Sequence, residues 1–160
     1  MSPKRNLLYA TDLNSGRPTH KYEHLTCFLP GMLALGAHTV DMKPEDKKRH
    51  QWAARGLAYT CYISYVDQAS GLGPDVLLMQ KGRKWVDALK EWDLAQKNGS
   101  EAMSSVPPGL GEPKREHTTV REQKIAKRDY SNLSRGYMLR PEVSEFGSAV
   151  SFFLRGLIPR

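Results

Sequence analysis

The apolar positions of this chain fall into blocks with different periods. Between Leu25 and Gly36, the residues Leu25, Phe28, Leu29, Met32, Leu33 and Leu35 leave almost no polar side. That pattern, over an apolar block at 25–37, predicts a buried helix that is hydrophobic on nearly every side. Pro30 suits its first turn, where a missing N–H costs nothing, and Gly36 offers a stop. Residues 44–66 carry a single stripe instead. Trp52, Gly56, Tyr59, Ile63 and Val66 recur at spacings of four and three, which marks one face of a helix. Pro44 opens it, with Glu45 and Asp46 in the first turn, where carboxylates favour the helix dipole. Gly56 marks close packing against another helix. A third block, Val143, Phe146, Val150, Phe153 and Leu157, predicts a helix over 141–155, started by Pro141 and stopped by Gly156 and Pro159.

Between these blocks the signals are weaker. Leu7 to Ala10 reads as a short strand or extended segment, and Asn14 to Pro18 as a turn. Residues 70–75, Ser-Gly-Leu-Gly-Pro-Asp, are a loop. Residues 76–95 read as a further helix or an irregular segment around Trp85, Leu89 and Trp92. Residues 97–136 are poor in apolar side chains and rich in Gly, Pro, Ser and charge, the composition of a long surface loop. The whole is mainly α: a few helices with long loops.

Composition adds limits. With 160 residues, 39% hydrophobic and 26% charged, the chain has the make-up of one globular domain. No apolar run approaches the ~20 residues that cross a bilayer, so no membrane segment is expected. Met1 to Tyr9 lacks the apolar core of a signal peptide. Either the protein is cytosolic or its targeting segment lies outside this sequence. The net charge is +7, but acids and bases interleave, as in Asp46-Lys47-Lys48-Arg49. We read a solvated mixed-charge face and no nucleic-acid partner, with a phosphate-binding patch as the alternative. The two cysteines, Cys27 and Cys61, do not fix a redox compartment. Taken alone they read as buried thiols. His24 and Cys27, three apart, are too few to make a zinc site.

Three segments share a further pattern. Glu23-His24-Leu25-Thr26-Cys27-Phe28 is similar to the (Asp/Glu)-His-Leu-x-Cys-Phe signature of glycoside hydrolase family 47. Gly71-Leu72-Gly73-Pro74-Asp75 resembles that family's Gly-Leu-x-Pro-Glu loop. Leu139-Arg140-Pro141-Glu142-Val143-Ser144-Glu145 is similar to its Leu-Arg-Pro-Glu-x-x-Glu motif. The segments occur in the family's order.

The resemblance implies a fragment of an (α/α)7 barrel, a partial catalytic domain over residues 1–160 with 97–136 as a variable surface loop. It implies an α-1,2-mannosidase that trims high-mannose N-linked oligosaccharides by inverting hydrolysis with bound calcium, in the lumen of the endoplasmic reticulum or Golgi. By the same resemblance Glu142 is a catalytic carboxylate, the candidate general base, and Asp75 a second acidic catalytic position. Glu23, Arg140 and Glu145 would line the sugar site. Cys27 and Cys61 fall where the family has a disulfide. Asp75 is one methylene shorter than the family's Glu. The family's catalytic acid precedes the first motif and its calcium-holding Thr-Glu follows the third; no residue here matches either, so no metal ligand is expected. The implied activity is therefore absent from these residues alone, and a non-catalytic glycan-binding or interaction remnant is the alternative. Without the resemblance, Glu142 is an N-terminal helix acid, Asp75 a turn residue and Glu23 a surface charge. Asn98-Gly99-Ser100 and Asn132-Leu133-Ser134 are glycosylation sequons, both in expected loops.

Overall fold

The structure, a computed structural model, describes residues 1–99, 105–110, 128–134 and 136. The helix expected over 141–155 lies outside them. The chain opens with a two-strand hairpin, β1 (Leu13–Asn14) and β2 (Arg17–Pro18). Ser15 and Gly16 form its two-residue turn with φ of 49° and 75°, the backbone of a type I′ turn. Strand β3 (Lys21–Glu23), a 3-10 helix (His24–Phe28), α1 (Leu29–Thr39) and α2 (Pro44–Val66) follow. Then come β4 (Val76–Met79), α3 (Trp85–Lys97) and β5 (Tyr130–Ser134). Strands β3, β4 and β5 make one antiparallel sheet in that order, with an irregular register between Val76 and Leu77.

Helix α2 begins at Pro44 and ends at Val66, as the stripe predicts, with Glu45 and Asp46 in the first turn. Its buried face carries two apolar cores. Tyr59, Cys61 and Ile63 meet Leu7, Tyr22, Leu77, Met79 and Tyr130 from the lead-in and the sheet. Leu57 meets Met1, Leu8 and Ala88, with Leu29, Leu33 and Trp85 partly buried alongside. Leu7 and Leu8 are buried without joining a sheet.

Helix α1 corrects two expectations. It is not buried all round: Met32 is 64% and Leu35 53% exposed. Pro30, Gly31, Ala34 and Ala37 are its buried residues, because small side chains let the backbones of α1 and α2 approach. The large apolar residues then point away from that contact. Gly36 does not end the helix either. It sits inside, and its carbonyl accepts the Val40 N–H at 3.0 Å where the chain turns extended.

Three further differences concern the weak segments. Residues 76–95 resolve into β4 and most of α3, not one helix. The supposed loop of 97–136 contains a buried turn at Gly109 and Leu110, and strand β5. The Trp85 indole donates to the Pro108 carbonyl at 2.8 Å. Composition hides this because polar groups carry the packing. Asp129, which is fully buried, accepts the Lys4 and Arg5 N–H groups at 2.8 and 3.1 Å and the Arg5 Nε at 2.6 Å. Arg5 also forks onto Asp67, and the Tyr130 hydroxyl donates to Asp67 at 2.8 Å. The Arg5 guanidinium lies 5.9 Å from the Tyr130 ring centre.

Gly56 is a close approach, but to the turn at Gly109 and to Leu8 of the lead-in and not to another helix. A methyl group there would collide with the Gly109 carbonyl and lie 3.0 Å from Leu8 Cδ2. Glycine to alanine inside a helix normally gains about 1 kcal/mol, but overpacking costs about 1–3 kcal/mol. Backbone cannot swing aside as a side-chain tip can, so the collision wins. We expect Gly56→Ala to lower the melting temperature. Gly36→Ala, with nothing within 4 Å, is expected to raise it. A thermal melt in which both variants rise would refute the contact.

Candidate functional site

Two of the predicted site residues meet at one end of the three-stranded sheet. Glu23 closes β3 and pairs with Val76, the first residue of β4. Asp75 is the residue just before it, and its backbone carbonyl accepts the His24 N–H at 2.8 Å. Glu23 is exposed and Asp75 half-buried. Ser134, the last residue of β5, pairs with Val76 at the same end. The chain therefore leaves the sheet towards its third motif from the corner where the first two meet. Arg140, Glu142 and Glu145 lie outside the described residues.

Tyr65, which the sequence reading passed over, ties the corner together through His24. His24 is 4% exposed, and its Nε2 is hydrogen-bonded to the Tyr65 hydroxyl, with the ring centres 5.6 Å apart. Tyr65 comes from the last turn of α2. Its ring packs on Gly73, where a Cβ would lie 2.6 Å from Tyr65 Cε2. The glycine between Leu72 and Pro74 is thus a requirement of space, and Tyr65 links the Glu-His segment to the Gly-Leu-Gly-Pro-Asp loop. A signal existed in the sequence: Tyr65 follows Cys61 by four residues, one helical turn along the same face.

That face holds the disulfide. Cys27 and Cys61 are bonded, with Cα atoms 5.9 Å apart, closing a separation of 34 residues. The span is ordinary for a disulfide. Both are 3% exposed, and the bond fastens the 3-10 helix to α2 directly behind Glu23 and His24. The Tyr22 hydroxyl lies 2.7 Å from Cys61 Sγ and 3.3 Å from Cys27 Sγ. Burial, with a smaller contribution from Tyr65, pushes the Tyr22 phenol above its ordinary range. It stays protonated and able to donate to sulfur. Burial and then the Asp67 carboxylate do the same to Tyr130.

The corner offers two carboxylates and a rigid backing, which suits binding of sugar hydroxyls and proton transfer. Among the described residues, no group of three or more His, Cys, Asp or Glu is placed to hold a metal ion. Among them, too, no helix is long and apolar enough to cross a membrane.

The family model of Glycosyl hydrolase family 47 matches residues 1–150. The chain is 42% identical over 76 residues to a mannosyl-oligosaccharide 1,2-alpha-mannosidase of Caenorhabditis elegans, covering 48% of this chain and 13% of that protein. It is 41% identical over 75 residues to the endoplasmic reticulum mannosyl-oligosaccharide 1,2-alpha-mannosidase of Rattus norvegicus, covering 47% and 11%. To mannosyl-oligosaccharide 1,2-alpha-mannosidase IC of Homo sapiens it is 36% identical over 80 residues, covering 50% and 12%. The aligned part is thus a small share of each relative's length. No solved structure matches. With three motifs in order, two of them joined at one sheet end, and a family match over nearly its whole length, the chain belongs to glycosyl hydrolase family 47.

Proposed function

We propose that these residues form one side of the mannose site of an α-1,2-mannosidase domain, an (α/α)7 barrel acting on high-mannose N-linked oligosaccharides in the secretory lumen. The observation that carries this is the sheet corner. Glu23 and Asp75 share it, and β5, which precedes the third motif in sequence, ends at it. Five residues lie between Gly136 and Glu142, which bounds their Cα separation at about 20 Å, and in this reading Glu142 stands across the sugar from Asp75.

In inverting hydrolysis, one carboxylate takes a proton from the attacking water while an acid protonates the leaving oxygen. The two carboxyl groups stand roughly 6.5–9.5 Å apart to admit the water. Glu142 is our candidate base. Asp75 faces the sugar from the start of β4, with Glu23 binding hydroxyls beside it and Arg140 and Glu145 lining the pocket. Asp75 is one methylene shorter than the family's Glu, and a displacement of about 1 Å can cost roughly a hundredfold in rate. Calcium takes six to eight oxygen ligands. The described residues do not fit such a site.

Binding without hydrolysis is the behaviour expected of the purified chain. No residue here matches the family's proton-donating acid. Mannobiose should therefore bind at millimolar concentration, and Asp75→Asn should weaken it. A hydrogen bond to a charged group is worth about 1.5–3 kcal/mol, which is roughly ten- to a hundredfold in Kd. The Asn side chain leaves the backbone bond to His24 intact. Titration of parent, Asp75→Asn and Glu142→Gln by calorimetry checks this. Equal affinity in all three would remove the proposed pocket, and steady mannose release from a high-mannose glycan with calcium would overturn the inactive reading.

A further inference from the structure

Of the two sequons, the fold leaves one usable. We propose that Asn98 carries an N-linked glycan and that Asn132 does not. Asn98 directly follows α3, with φ −84° and ψ 5°. Its backbone N–H is held by the Leu94 carbonyl at 3.1 Å, while the residue itself is exposed. Gly99, also exposed, turns the chain away with φ +64° and nothing within 4 Å of where a Cβ would be. A glycan needs the Asn amide in solvent and a backbone that can present it to a transferase. The end of α3 meets both conditions.

Asn132 meets neither. It lies within β5, paired with Leu77, which is 1% exposed. Its Nδ2 donates to Gln68 Oε1 at 3.1 Å, and its Oδ1 is buried. Gln68 in turn reaches the Tyr130 hydroxyl at 3.4 Å. A sugar on Asn132 Nδ2 would displace Gln68 from the side of β5 that faces the end of α2. A chain modified there cannot close this edge of the sheet.

The reaction needs a lumenal transferase and an oligosaccharide donor with a polyprenyl diphosphate leaving group. Asn98 Nδ2 bonds to the anomeric carbon, the carbon–oxygen bond to the diphosphate breaks, and Nδ2 loses one proton. Only delivery to the lumen rests on the function proposed above.

The test supplies that delivery itself. The full chain is expressed behind a cleavable leader in eukaryotic secretory cells, and the secreted, folded product is treated with a glycan-removing amidase. We expect one glycan on the parent, none on Asn98→Gln or Ser100→Ala, and one on Asn132→Gln or Ser134→Ala. Synthetic peptides spanning each sequon are both expected to accept sugar from solubilised transferase. An unglycosylated parent, two glycans, or a glycan that survives Asn98→Gln would overturn the assignment. Refusal of the Asn132 peptide would show that the fold is not the selector. None of these outcomes depends on mannobiose binding, so this assignment and the mannosidase reading fail separately.

Discussion

Replacing Arg5 with methionine is expected to remove about 3–5 kcal/mol of stability, the range for losing one partner of a buried ion pair. The side chains of Asp67 and Asp129 are 1% and 0% exposed, and Arg5 faces both, at 2.8 and 2.6 Å. Burial alone would lower the Arg5 pKa, but the hydrogen bonds to Asp67 and Asp129 outweigh it and raise the value. The guanidinium is therefore held charged. Methionine fills similar volume and leaves two carboxylates without their cation. Domains of this kind have only about 5–15 kcal/mol in all. Urea unfolding followed by tryptophan fluorescence should show a much lower midpoint with an unchanged slope. Adding Asp67→Asn and Asp129→Asn to the same chain should recover part of the loss, because the stranded charges are gone. Arg5→Lys should rescue poorly, since an ammonium cannot fork onto two carboxylates. A midpoint for Arg5→Met within about 0.5 kcal/mol of the parent, the scatter of ordinary surface changes, would sink the network as a source of stability.

Cys27→Ala/Cys61→Ala is expected to cost about 4 kcal/mol, the chain-entropy value for a loop of 34 residues. The local consequence is larger than for a bond between two loops. The disulfide joins the 3-10 helix that carries His24 to the helix that carries Tyr65. Without it, the His24–Tyr65 contact loses its anchor, and mannobiose affinity should fall together with stability. Oxidised and reduced parent chain, compared in urea, should differ by the same amount as parent and double alanine. If reduction leaves both the midpoint and the affinity in place, the bond is not what holds the corner.

Helices were legible where a single stripe of residues is buried. Helix α2 follows from Trp52, Gly56, Tyr59, Ile63 and Val66 because burial on one face leaves a periodic trace. The block after Leu25 misled, because its apolar density said nothing about direction. Ala34 and Ala37 face α2, while Met32 and Leu35 point outward. Strand β5 was hidden for the opposite reason. Tyr-Ser-Asn-Leu-Ser has little apolar content, and its burial depends on Arg5, Asp67 and Gln68, which are distant in sequence.

The sequence by itself determined the family and the disulfide partners implied by it. These depend on short motifs in which neighbouring residues are fixed by one local job. Only the tertiary structure decided that Glu23 and Asp75 share a corner, because antiparallel register across some fifty intervening residues places them there. It also decided that Tyr65 backs His24, that Arg5 lies between two buried carboxylates, and that Asn98 and Asn132 differ although their triplets look alike. Each of these is a contact between segments distant along the chain, and composition and periodicity register only neighbours.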